Sequence, residues 1–68
     1  MKLKELNATD LLAYKNFVDV VYSFYDNEAK ANSLDSELFK TAYENSLKYL
    51  RIQSEIFDEI KSRVDKLS

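Results

Sequence analysis

The chain has 68 residues, ten Lys and Arg against twelve Asp and Glu for a net charge of −2, and no His, Cys, Gly or Pro. That composition excludes disulfides, thiolate and imidazole metal sites, His-based acid–base catalysis, glycine-rich phosphate loops and glycine-dependent tight turns. Hydrophobic residues at 46% and charged residues at 32% describe a globular chain. Its length suits one domain, residues 1–68, whose own core is marginal unless more protein covers it.

Residues 1–6 read as a short N-terminal extension. They are charged, and no apolar run follows that would make a secretory leader. Asn7 then supplies a helix N-cap, with Asp10 three residues on in a capping-box arrangement. Leu6 before the cap and Leu11 after it have the spacing of a hydrophobic staple.

The first helix is expected from about residue 8 to 31. Leu11, Tyr14, Val18, Val21 and Tyr25 recur at alternating intervals of three and four, a heptad-like seam. Ala13, Phe17, Val20 and Phe24 lie beside it, and Tyr22 and Ala29 flank the other edge. The apolar arc is then roughly 200° wide, against about 100° for an ordinary surface helix.

A break is expected at 31–36. Asn32 can end a helix in the left-handed conformation, and Asn32 or Ser33 can cap the next one. One uninterrupted helix is the competing reading. The second helix is expected over about 34–66, with Phe39, Tyr43, Leu50, Phe57, Ile60, Val64 and Leu67 as its main stripe. Leu38, Ala42, Tyr49, Ile52 and Ile56 widen that stripe on one side and Leu47 on the other. Glu44–Lys48 and Glu59–Arg63 have the spacing of i,i+4 ion pairs.

The fold class is therefore all-α, an antiparallel two-helix hairpin, because a short connection makes the helices neighbours. Folding at Asn32 would set Tyr25 near Phe39, Val18 near Leu47 and Tyr14 near Leu50, with Leu3 and Leu6 level with Phe57 and Lys61. Two helices can each hide one stripe, and here each is apolar over more than half its circumference. The surplus, Phe17, Val20, Phe24, Tyr49, Ile52 and Ile56, is the expected protein interface. A homodimeric four-helix bundle or docking into a larger helical assembly would cover it. Ser46 and Gln53, one heptad apart inside the second apolar arc, either set register as buried polar groups or face a wet seam.

Function classes narrow accordingly. No enzymatic activity and no cofactor are expected, since no carboxylate falls inside an apolar seam. Asp19 with Asp26, and Glu55 with Glu59, sit on hydrophilic faces. Lys40, Lys48 and Arg51 share one side of the second helix, yet Glu44 and Glu55 interleave with them, so a salt-bridged surface fits better than nucleic-acid binding. The longest apolar run, Phe17 to Tyr25, is too short for a bilayer and contains Asp19. The expectation is an oligomerising interaction protein of the cytoplasm, or of a virion or other assembly within it. Abundant Lys, Asn and Tyr fit a small accessory protein of an AT-rich genome such as a phage. The alternative is a small regulator of a mobile element that binds nucleic acid or inhibits a partner protein.

Overall fold

The computed structural model describes residues 2–67. A single 3-10 turn, Leu3–Glu5, precedes two helices, α1 (Ala8–Lys30) and α2 (Glu37–Leu67), which pack against each other as an antiparallel hairpin. Among the described residues there is no strand. The molecule is a rod of 48 × 18 × 17 Å, as long as α2 itself at about 1.5 Å per residue. Its radius of gyration of 14.7 Å exceeds the ~11 Å of an equally long compact domain.

Asn7 caps α1 as its position suggests. Its side-chain oxygen accepts the Asp10 N–H at 2.8 Å. Leu6 packs against the cluster containing Leu11, which completes the staple.

The connection departs from expectation. No described residue has positive φ. Without glycine, a left-handed cap costs roughly 1–2 kcal/mol, and the chain takes a longer route. Ala31 stays right-handed, with φ −81° and ψ −8°. Asn32 donates its side-chain amide back to the Glu28 carbonyl at 2.7 Å. A second turn closes from the Ser36 N–H to the Ser33 carbonyl at 3.0 Å. The cap of α2 is Ser36, not Asn32 or Ser33: its hydroxyl oxygen accepts the Phe39 N–H at 3.0 Å and donates to the Ser33 carbonyl at 2.8 Å. The second helix thus begins at Glu37 rather than at 34.

That longer connection resets the register. Tyr25 stacks on Tyr49, with ring centroids 5.8 Å apart, and Gln53 donates to Asp19 at 2.8 Å. Tyr25 therefore meets a residue ten positions beyond the expected Phe39, nearly three turns of about 3.6 residues. The hairpin folds about Ser36 and Glu37 instead of Asn32.

α2 is also rotated from the expected stripe. The cluster at the heart of the fold is Leu11, Val18 and Ile56, with Leu3, Leu6, Tyr14, Tyr49, Ile52 and Ile60 packed around it. Nearer the loop the buried residues are Ala29, Ala42 and Ser46. The seam of α2 thus runs through Ala42, Ser46, Tyr49, Ile56 and Ile60. Tyr43, Leu50, Phe57 and Val64 point away from it. Small residues account for the choice: a six-residue connection holds the helix axes close near the loop, where Ala42 and Ser46 fit and Tyr43 and Leu47 would not.

Candidate functional site

The structure divides the expected interface in two. Phe17, Val20 and Phe24 are exposed, at 59%, 70% and 61% of their accessible surface. Tyr49 and Ile52 instead face α1 and pack on the central cluster, and Ile56, only 1% exposed, is part of it. The expectation that a lone hairpin leaves those three wet is corrected. The reason is the rotation of α2, which brings 49, 52 and 56 inward and turns 43, 50, 57 and 64 out.

Those four outward residues form a second apolar row that sequence reasoning had assigned to the interior. Leu47 lies within the row. A signal was present: Lys61 recurs in the same 3-4 spacing, and a cation in the row marks it as an outer edge.

The two rows lie on opposite faces of the hairpin. At about 100° per residue, Leu12 and Asp19 fall on one side of the buried Val18 line, and Phe17 and Phe24 on the other. On α2, Gln53 and the Tyr43–Val64 row share one side of the Ile56 line. The Gln53–Asp19 hydrogen bond joins the two flanks that belong to one face. An apolar groove further along confirms the match, since Leu12 and Val64 line it together with Ala8, Leu11, Ile60 and Leu67. Hence the α2 row and Leu12 occupy one face, and Phe17, Val20 and Phe24 the other.

Polar groups fix the hairpin between these faces. Asp19 accepts from Lys15 at 2.8 Å and from Gln53 at 2.8 Å. The Lys15 ammonium first, and the Gln53 amide second, hold its carboxyl below the usual value of 3.8. Gln53 is thus a register-setting contact between helices. Ser46 is not, because its hydroxyl donates to the Tyr43 carbonyl of its own helix at 2.7 Å. Arg63 pairs with Glu59 at 2.8 Å, as their spacing indicates, and its guanidinium also donates to the carbonyls of Leu3 and Leu6 at 3.0 and 2.6 Å. It clasps the N-terminal segment to the end of α2. The expected partner of Glu44, Lys48, instead lies over the Tyr49 ring, 5.9 Å from its centroid.

No described group of three or more Asp and Glu comes together as a cation site. No helix among the described residues is long and apolar enough to cross a membrane. Comparison with protein-family models, curated proteins and solved structures finds no match.

Proposed function

We propose that this chain is a non-enzymatic protein–protein interaction module, a small oligomerising helical subunit of a larger assembly such as a virion, working in the cytoplasm. The observation that supports this reading is the pair of apolar rows on opposite faces. Phe17, Val20 and Phe24 lie on one face and Tyr43, Leu50, Phe57 and Val64 on the other, exposed in rows rather than scattered singly. Covering one such side chain is worth on the order of 1 kcal/mol or more, so each face offers a contact of useful strength. A single partner hairpin on one face makes four helices and leaves the other face for a further subunit.

Sedimentation velocity of the purified chain at micromolar concentration tests the reading, with Val20→Asp and Leu50→Asp as probes of the two faces. The expected result is a particle larger than the 8.0 kDa chain, reduced in mass by at least one of the substitutions. A particle of 8.0 kDa, unchanged by either substitution and shifting RNA or DNA in a salt-sensitive gel assay, would replace this reading with the nucleic-acid regulator.

A further inference from the structure

The outward row of α2 carries more information than exposure. Tyr43, Leu47, Leu50, Ser54, Phe57, Lys61 and Val64 alternate four and three apart without interruption. A mean period of 3.5 residues keeps a row facing one partner only if that partner is another helix lying along it. The buried seam of α2 (Ala42, Ser46, Tyr49, Gln53, Ile56 and Ile60) has this spacing toward α1, and the outward row repeats it one residue on, on a face that α1 leaves exposed.

The row is also close to symmetrical about Ser54. Turning a second α2 antiparallel about that point sets Leu50 beside Phe57 of the second copy and Tyr43 beside Val64. Ser54 meets Ser54, the smallest side chain of the row, where the two axes come nearest. Around that axis Arg51 comes level with Asp58 of the second copy and Glu44 with Asp65, while Lys61, opposite Leu47 in the row, lies within reach of that Glu44. Lys61 also stands between that Glu44 and Asp65 of its own helix, offsetting the two carboxylates. A parallel pairing would put Lys61 against Lys61 in the apolar row. All of Glu44, Arg51, Ser54, Asp58 and Lys61 are exposed in the single chain.

We infer that α2 pairs antiparallel with α2 of a second copy of this chain, on a two-fold axis at Ser54. This inference rests on the proposed reading that the apolar rows are protein contacts, and it names one occupant for one row. The resulting contact is isologous, so each pairing occurs twice. Phe17, Val20 and Phe24 stay outside it.

The test exploits the absence of cysteine. Ser54→Cys places one thiol at the axis, within the ~4 Å Cβ separation that a disulfide needs. Under mild oxidation it should give a covalent dimer about tenfold faster than Ser62→Cys, which lies off the row, or Ser23→Cys on the outer side of α1. Arg51→Asp should weaken dimerisation about tenfold, and adding Asp58→Arg should restore it. Circular dichroism of every variant should match the parent, because all these positions are exposed. Self-association with no preference for the Ser54 thiol, or with no rescue by the double exchange, overturns the antiparallel pairing and leaves the interaction reading standing. A chain monomeric at all concentrations, in every variant, overturns this pairing and self-association together.

Discussion

The two halves of the hairpin are held by different means. Near the loop, the buried residues are Ala29, Ala42 and Ser46, and large side chains such as Phe24, Leu38, Tyr43 and Leu47 stay outside. Toward the open end, Leu11, Val18 and Ile56 form the core, Leu3, Leu6 and Ile60 add to it, and Arg63 fastens the N-terminal segment. The contrast follows from connectivity. Beside the loop the chain itself keeps the helices together, so small residues and close approach suffice. Far from it, closing the chain carries an entropy cost that only larger buried groups and charged hydrogen bonds offset. The closed end is set by fit and the open end by apolar mass.

Four measurements break or sharpen that contrast. Ile56→Ala, in the open half, should cost about 2–5 kcal/mol, which rivals the whole stability of a small domain. Urea denaturation followed by circular dichroism reads it, and a loss below that of a surface Leu50→Ala would remove the distinction. In the loop half the damaging change runs the other way. Ala42→Leu should cost about 1–3 kcal/mol by forcing the helices apart; if it stabilises the isolated chain instead, that half is under-packed.

Arg63→Ala should cost about 1–2 kcal/mol, reduced from the value of a fully buried charged hydrogen bond because the side chain is 29% exposed. Its more specific consequence is local. Amide exchange should quicken at residues 5–11 while the Tyr25–Tyr49 region keeps its protection. Equal acceleration along the whole rod would show that the clasp is not confined to the open end.

The smallest effect concerns the polar tie between the halves. Asp19 has its carboxyl held below 3.8 by Lys15 and Gln53. Its stabilising contribution is therefore fully present above that value and is lost as pH falls through the lowered one. The gap in urea midpoint between the parent and Asp19→Asn should narrow as pH drops from neutral toward about 3. A gap that does not change with pH would mean that the charge on Asp19 contributes nothing to the hairpin.

How far the sequence discloses this molecule depends on the helix. For α1 the reading is close: the Asn7 cap, the staple and the Leu11–Val18–Tyr25 seam all stand as spacing indicates, because polar residues bound that arc on one side. For α2 the arc exceeds what one seam needs, and two stripes one residue apart are about equally apolar. Periodicity cannot choose between the stripe through Tyr43 and Phe57 and the one through Ala42 and Ile56. Packing against α1 chooses, through small residues near the loop and the Gln53–Asp19 pair. The loop misled for a related reason. Asn32 and Ser33 have the chemistry to end one helix and cap another, but without glycine the chain spends three more residues and caps at Ser36. Of the candidate interface, Phe17, Val20 and Phe24 are outward as read, whereas Tyr49, Ile52 and Ile56 exchange places with the Tyr43–Val64 row. The role of Arg63 had no sequence signal, since its acceptors are backbone carbonyls.

Those carbonyls give Arg63 a place in the order of synthesis. The residues it joins are 60 and 57 positions apart. At ribosomal rates of about 5–20 residues per second, Leu3 and Leu6 wait several seconds before the arginine that secures them is made. Leu11 and Val18 precede Ile56 by 45 and 38 positions and wait about two-thirds to three-quarters as long. The newborn chain therefore carries α1 with its apolar seam unshielded almost until translation of α2 is finished. Until then those side chains have no partner helix of their own chain.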